Sequence, residues 1–496
     1  MSLTLLLEMA ASGHPDRIAL GSRRGGISFA ELSRRAGAAA KLILERAPEH
    51  VAFVGRNGPA FPLALFGAAW GGVPFAPLNY RLTDAQLDDL LRQLSRPLVV
   101  ADADYVPAVA VSGRDVMTTD DFLALTSSGQ SVDPAAVDDD ATAVLLFTSG
   151  TTAQPKAVML RHENLVSYIL STVDLGQADE HEAALVAVPP YHVAAVGSAL
   201  SNVYAGRRVI HLPDFDAAAW LSLIRDENVT SAMVVPTMLS RVLDVLGDEQ
   251  ADAPALQLIS YGGARMPRPV LEKALRAFPN TGFCNAYGLT ETSSTIALLG
   301  PEDHRAALDA SDESTRRRLA SVGRPVPGIE VEIRTEGGSP AGPSESGQLW
   351  VRGPQVSGQY RGHASALDAD GWFHTRDRAS IDEDGYIFIE GRSDDTIIRG
   401  GENIAPAEIE DVLLLHPAVK EVAVLGRPDH EWGERIVAVI VPEPGVDANA
   451  DELRAHVRGR LRGSRTPDEI VWREELPHTS TGKLLRRQLV QEITAG

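Results

Sequence analysis

The chain has 496 residues, 44% of them apolar and 23% charged. That composition excludes a disordered or fibrous protein, and the length calls for at least two domains. Acidic residues outnumber basic ones by 67 to 46, for a formal charge of -21, a surface that repels polyphosphate backbones and speaks against nucleic-acid binding, while a small anion can still enter a locally positive pocket.

The opening stretch, 1–17, has no basic lead and its apolar run is broken by Glu8, so it does not read as a secretory leader. Ser28 and Glu31 form a capping-box pattern that predicts a helix to about Glu45, and Thr83 with Gln86 repeats it ahead of 87–94. Residues 57–80 are free of charge and long enough to span a membrane. Pro59, Pro62, Pro74 and Pro77, with several glycines, predict a short buried helix and a following strand instead. Apolar runs at 51–55, 97–102, 143–149, 185–189, 208–212 and 231–236 alternate with helical stretches such as 217–228. This is the pattern of an α/β protein with largely parallel sheets.

The lone Cys284 permits no internal disulfide, carries no zinc site and fits a reducing cytoplasm; it is expected to be a small buried apolar residue. Past about residue 320 strands shorten and turns crowd, which predicts a smaller β-rich part. From 394 onward a helix at 406–417, strands at 419–426 and 435–444 and a helix at 451–461 read as a compact α+β unit. The fold class is therefore α/β: a large N-terminal domain, 1–393, of mostly parallel sheets with helices plus a smaller β-rich part, and a small mobile α+β C-terminal domain, 394–496.

Four segments carry candidate chemistry. In 146–158, LFTSGTTAQPKAV, a strand runs into a loop dense in hydroxyls and amides and closed by Lys156. Such a loop can wrap phosphates, although it reads as well as a Ser/Thr-rich surface turn. It lacks the Walker A spacing. In 285–292, NAYGLTET, a tyrosine can stack on a base and an acid can hold Mg2+. In 372–377, WFHTRD, and 386–395, YIFIEGRSDD, Asp377 can accept from ribose hydroxyls and Arg392 can donate to ribose or phosphate. In 477–483, PHTSTGK, Lys483 follows a polar glycine turn. Each of the last three, alone, is more often an ordinary solvated or packed group.

Together, in this order and from the Ser28 helix to Lys483, the four segments resemble the adenylate-forming superfamily of acyl-CoA synthetases, peptide-synthetase adenylation domains and beetle luciferases. The pattern is closest to aryl and medium-chain acyl-CoA ligases. The resemblance implies ATP/AMP, Mg2+ and coenzyme A as cofactors and two half-reactions. A carboxylate first attacks the α-phosphate to give acyl-AMP and pyrophosphate; a thiol then attacks the acyl carbon and AMP leaves. By likeness, Thr148, Ser149, Gly150, Thr151, Thr152 and Lys156 form the loop over the outer phosphates. Gly262, Gly263 and Ala264 lie on the adenine side, with Asn285 and Tyr287 flanking the base. Thr290 resembles the α-phosphate ligand, Glu291 the Mg2+ ligand, and Asp377 with Arg392 the ribose pair. Lys483 resembles the lysine that bridges carboxylate and α-phosphate, offsetting the repulsion of two anions. Asp394 matches the hinge, and Gly400 and Gly401 the loop that lines the pantetheine tunnel.

At 189–194, PPYHVA, the sequence has Tyr191, His192 and Val193 where amino-acid-activating relatives usually carry an aspartate, which disfavours an α-amino acid. His192 then borders the acyl pocket, or is a packed histidine without a chemical role. Small residues on the expected walls, Ala194, Val235, Ala286 and Gly288, suit a bulky, cyclic or aryl acid.

The sequence departs from the family where T-G-x-P-K-G reads 152–157 TAQPKA and T-G-D reads 375–377 TRD. A β-carbon at these positions disfavours positive φ and fills space near a phosphate. Two readings follow: a complete ligase that tolerates the changes, or a non-adenylating acyltransferase that accepts preformed acyl-AMP. A carrier-protein thiol in place of CoA is a further alternative. Expected partners are the acid or its adenylate, no nucleic acid, no membrane span, and a second copy of the chain if it dimerises. No G-x-S-x-G or G-x-G-x-x-G supports a hydrolase or a dinucleotide oxidoreductase.

Overall fold

The computed structural model describes residues 1–148, 155–400, 402–447, 449–479 and 484–495. Two sheets dominate its N-terminal part. One has six strands in the order Asp115–Thr118, Pro97–Ala101, His50–Val54, Phe75–Pro77, Thr142–Thr148 and Lys156–Arg161. Its first five strands pair in parallel and the last closes an antiparallel hairpin. The other sheet has nine strands, with parallel neighbours through Ile18–Leu20, Arg208–His211, Ala183–Val186, Ser231–Val234, Leu258–Gly262 and Gly282–Leu289. Antiparallel strands cap both edges. All six apolar runs of the sequence are strands here, as their length and flanking turns dictate.

The helix starts follow their caps. Ser28 Oγ accepts the Glu31 N–H at 3.2 Å and opens the helix Phe29–Arg46. Thr83 and Gln86 complete a reciprocal capping box ahead of Asp84–Arg92. The charge-free stretch forms the helix Ala60–Trp70, buried at every position, and then the strand Phe75–Pro77. A helix apolar all round belongs in a core. One apolar cluster joins Phe53, Phe75 and Leu146 of the first sheet to Val186 and Val209 of the second through Phe61 and Phe66 of this helix. Gly67 lets it approach the Phe29–Arg46 helix, because a β-carbon there would lie 2.5 Å from Ala39 Cβ. Among the described residues, no helix is long and apolar enough to cross a membrane.

An antiparallel sheet of Glu330–Arg334, Gly347–Arg352, Phe373–Ile381 and Ile387–Arg392 follows, with its own apolar core. It is the smaller β-rich part expected past residue 320. The 3-10 turn Ser393–Asp395 then leads into a five-stranded sheet. That sheet has apolar clusters on both faces, one under the helices Pro406–Leu414 and Ala450–Arg458, the other under Leu476 and Leu489. Its first two strands, Ile397–Arg399 and Glu402–Ile404, form a hairpin that the local pattern did not announce. The C-terminal part meets the N-terminal part through Arg265, which donates to Ala407 O at 3.2 Å and pairs with Asp411.

Candidate functional site

Several of the predicted residues lie at the carboxyl ends of parallel strands, where open α/β sheets bind ligands. Val235 follows the strand Ser231–Val234, Gly262 ends Leu258–Gly262, and Asn285, Ala286 and Tyr287 lie toward the end of Gly282–Leu289. Gly262 is there because a β-carbon would come within 2.4 Å of Ala286 O. Gly263 holds φ 79° beside Val235, and Ala264 continues the turn. Asn285 Nδ2 donates to Ser321 O at 3.3 Å. A cavity of about 350 Å³ lined by Arg23, His181 and Asn228 lies at the opposite, amino ends of these strands and contains none of the predicted residues.

Two polar clusters form the centre. In the first, the cross-strand register sets Asp377 opposite Arg392. Arg392 Nη1 donates to Asp377 Oδ1 at 3.0 Å and to Thr375 O at 2.7 Å, and the Tyr287 hydroxyl donates to Asp377 Oδ2. Asp377 is only 6% exposed. Burial, and then the neighbouring Asp377 charge, holds the Tyr287 hydroxyl far above its usual range, so it stays a donor. A carboxylate has about four acceptor sites, and Asp377 keeps capacity for further donors.

In the second cluster, Glu291 sits in the 3-10 turn Thr290–Thr292, with Thr290 half-buried beside it. Its Oε1 accepts from the Tyr360 hydroxyl at 2.7 Å, and the Lys156 ammonium lies 5.8 Å from the Tyr360 ring centroid. Burial, then the Glu291 charge, raises the Tyr360 pKa. The segment 355–361 binds the pieces together: Ser357 N–H donates to Glu291 O, Met159 N–H to Gln359 O and Arg361 N–H to Ala157 O, each at 2.9 Å. Tyr360 was absent from the sequence reading; its one signal is a tyrosine set between Gly358 and Gly362. Thr148 pairs with Lys156 across the hairpin, its Oγ1 3.4 Å from Lys156 O. Ser149, Gly150, Thr151 and Thr152 lie outside the described residues, as do Gly401 and Lys483.

His192, expected to border the acyl pocket, precedes the helix Val193–Tyr204, with Ala194 in its first turn. Its Nε2 is buried with no hydrogen-bond partner, and its ring lies 4.4 Å from that of Tyr191. Burial, aided by the Arg81 charge, lowers its pKa to about 4, so the ring is neutral at pH 7. Val235 is packed in an apolar cluster. Gly288 has a separate reason to be glycine: a β-carbon would lie 1.7 Å from Ser294 O in the adjacent strand.

The two family departures differ in backbone. Ala157 is in a strand and buried; the expectation that a β-carbon there opposes a positive φ does not hold, because the backbone is extended. Ala153 is outside the described residues. Arg376 does hold φ 66°, a left-handed conformation that costs a residue with a β-carbon on the order of 1 kcal/mol. Asp394 is exposed in the turn Ser393–Asp395, and Gly400, at φ 58°, donates its N–H to Trp432 O at 2.8 Å. Cys284 is buried, which pushes its thiol up to about 12 and removes it as a nucleophile. No group of three or more His, Cys, Asp or Glu that could hold a metal ion occurs among the described residues.

The family model of AMP-binding enzymes matches residues 7–361, and that of the AMP-binding enzyme C-terminal domain matches 408–483. The chain belongs to the AMP-binding enzyme family. Feruloyl-CoA synthase of an Amycolatopsis species is 34% identical over 478 residues, covering 94% of each chain. Indoleacetate–CoA ligase of Aromatoleum aromaticum is 30% identical over 520 residues, covering 100% of this chain and 99% of that one. The solved o-succinylbenzoate CoA synthetase of Bacillus subtilis, in complex with the acyl-adenylate intermediate OSB-AMP, superposes with a TM-score of 0.84 at 29% identity, covering 98% of this chain and 97% of that chain. The protein is thus an adenylate-forming ligase, in keeping with its motifs.

Proposed function

We propose that this AMP-binding enzyme joins a bulky, most readily aryl, carboxylic acid to coenzyme A at the expense of ATP. In the first step a carboxylate oxygen bonds to the α-phosphorus, the bond from that phosphorus to the bridging oxygen breaks, and pyrophosphate leaves. In the second the CoA thiol gives up its proton, its sulfur bonds to the acyl carbon, and the bond from that carbon to the AMP oxygen breaks.

The observation that carries this reading is that the strand Gly282–Leu289 and the turn Thr290–Thr292 join the Tyr287–Asp377–Arg392 cluster to the Lys156–Tyr360–Glu291 cluster. The first suits a ribose, offering carboxylate acceptors and a guanidinium donor. The second suits phosphates, with Thr290 and Lys156 as donors. Among the described residues Glu291 belongs to no group of three or more metal-binding side chains, which fits Mg2+ shared with a nucleotide's phosphates rather than an all-protein cage. When bound, that ion supplies charge neutralisation. Lys483 is assigned to the meeting point of carboxylate and α-phosphate. The domain 394–496 is assigned to turn about Asp394, bringing Gly400 and Gly401 to the thiol path.

Two observations support an aromatic acid. Both named relatives act on aromatic acyl groups by their names, and the neutral, unpartnered His192 Nε2 offers one hydrogen-bonding atom to a ring substituent. The lone buried thiol supports a reducing compartment such as the cytoplasm.

The test is pyrophosphate release from ATP with a panel of aryl, bulky and medium-chain acids, beside a synthetic acyl-AMP plus CoA assay. Acid-dependent pyrophosphate followed by acyl-CoA is the expected result. Conversion of acyl-AMP without any pyrophosphate release would restrict the chain to the second step, and inactivity in both assays would overturn the reading. A carrier-protein thiol offered in place of CoA distinguishes the acceptors.

A further inference from the structure

Arg376 is unused by the chemistry above, and its situation is unusual. Its neighbours Thr375 and Asp377 are buried and committed, the first to Leu349 O at 2.8 Å and the second to Tyr287 and Arg392. Arg376 between them is exposed, at φ 66°. Its peptide is pinned from two sides: Ser393 Oγ donates to Arg376 O at 3.1 Å, and Asp377 N–H donates to Thr375 Oγ1 at 3.1 Å. The strand therefore holds the strained conformation rather than relaxing it, and strain of this kind persists where the surroundings over-determine it, often at functional sites.

The guanidinium has no carboxylate within ion-pair distance among the described residues. Arg378, two positions on, reaches Glu336 at 3.8 Å, and Arg392 reaches Asp377 at 3.0 Å. The charges of Arg376 and Arg392 both act to lower the Tyr360 pKa, against burial and the Glu291 charge, which raise it. Along the strand Phe373–Ile381, Arg376 directly precedes Asp377, which accepts from Tyr287 and Arg392. Arg376 is an exposed permanent cation without an anion among the described residues, in a chain of net charge -21, beside the Tyr287–Asp377–Arg392 cluster.

We propose that Arg376 is a nucleotide-binding residue, a guanidinium that pairs with phosphate oxygens of the bound adenine nucleotide. Arginine suits this task because its planar fork matches phosphate geometry and never loses its charge. The proposal rests on the reading of this site as a nucleotide site and adds a ligand that glycine at this position cannot supply.

The test is calorimetric titration of ATP, AMP and adenosine into the full-length wild type, R376G, R376Q and R376K, with KM for ATP and kcat measured in parallel. R376G and R376Q are expected to weaken ATP binding roughly tenfold, to raise KM for ATP with little change in kcat, and to leave adenosine binding as it was. R376K is expected to recover part of the loss. R376G removes the left-handed strain, so its melting temperature should rise and its weaker binding cannot be assigned to misfolding. Weakening of ATP and AMP alike points to the α-phosphate, and weakening of ATP alone points to the outer phosphates. Unchanged ATP affinity in R376G and R376Q, or an equal loss for adenosine, overturns the proposal. A wild type that binds neither ATP nor AMP instead overturns the nucleotide reading on which it rests.

Discussion

Two strand pairs of the nucleotide-binding half carry a side chain where the family pattern has glycine, and they accommodate it in opposite ways. In the hairpin Thr142–Thr148/Lys156–Arg161, Ala157 sits opposite Phe147 with an extended backbone, and its methyl group packs in an apolar cluster with Leu145 and Tyr191. In the pair Phe373–Ile381/Ile387–Arg392, Arg376 stands exposed at φ 66°. Extended backbone accepts any β-carbon, and burial of a methyl group adds to stability. Left-handed backbone resists the β-carbon, and an exposed side chain returns no burial in exchange. A missing glycine therefore speaks about function only where φ demands one.

Substitutions in the two pairs sharpen this contrast. The largest effect is expected in the second: Asp377→Ala removes the carboxylate that accepts from the Tyr287 hydroxyl and pairs with Arg392, leaving Arg392 only the Thr375 carbonyl. A loss of roughly 2–3 kcal/mol in denaturant titration and a fall of about 100-fold in ATP–pyrophosphate exchange are expected; near-normal exchange would remove Asp377 from the nucleotide site.

The first pair is exposed to acid through the residue that follows it. His162 is buried, accepts the Leu3 N–H at 3.2 Å on Nδ1, and burial lowers its pKa to about 4. Its folded pKa lies below the unfolded value of about 6.5, so the unfolded chain binds the proton first. Stability present above pH 6.5 is lost as pH falls toward 4, by roughly 2 kcal/mol at pH 5. A His162→Gln variant should show a flatter decline of melting temperature between pH 6.5 and 4; the same slope as wild type would place the acid sensitivity elsewhere.

Ala157→Gly should cost about 1 kcal/mol, since it adds backbone freedom and removes a buried methyl group. It should bring no gain in ATP-dependent turnover. A rise in activity would mean that the family glycine matters here despite the extended backbone. The smallest shift is the stabilisation by Arg376→Gly, about 0.5–1 kcal/mol from relief of left-handed strain. A lower melting temperature in that variant would show that the arginine side chain contributes more than its strain costs.

Much of the fold was legible because its determinants are local. The capped helix at Ser28, the buried helix at Ala60–Trp70 and the six apolar strands depend on side-chain periodicity and end residues. The hairpin Ile397–Arg399/Glu402–Ile404 escaped notice because three-residue strands leave too short a pattern. Tyr360 escaped because its role depends on a partner, Glu291, that is remote in the chain and reached only through the packing of 355–361.

By itself, then, the sequence determined the α/β elements, their approximate order in two parts, and the types of residue offered to a nucleotide, since these follow from short-range pattern and side-chain chemistry. Tertiary structure alone decided that Asp377 faces Arg392 and Tyr287, that Tyr360 joins Glu291 to Lys156, that Gly288 answers to a neighbouring strand, and that Ala157 is relaxed while Arg376 is strained. Each of these depends on strand register and on contacts between distant segments, and neither is encoded in the neighbours of a residue along the chain.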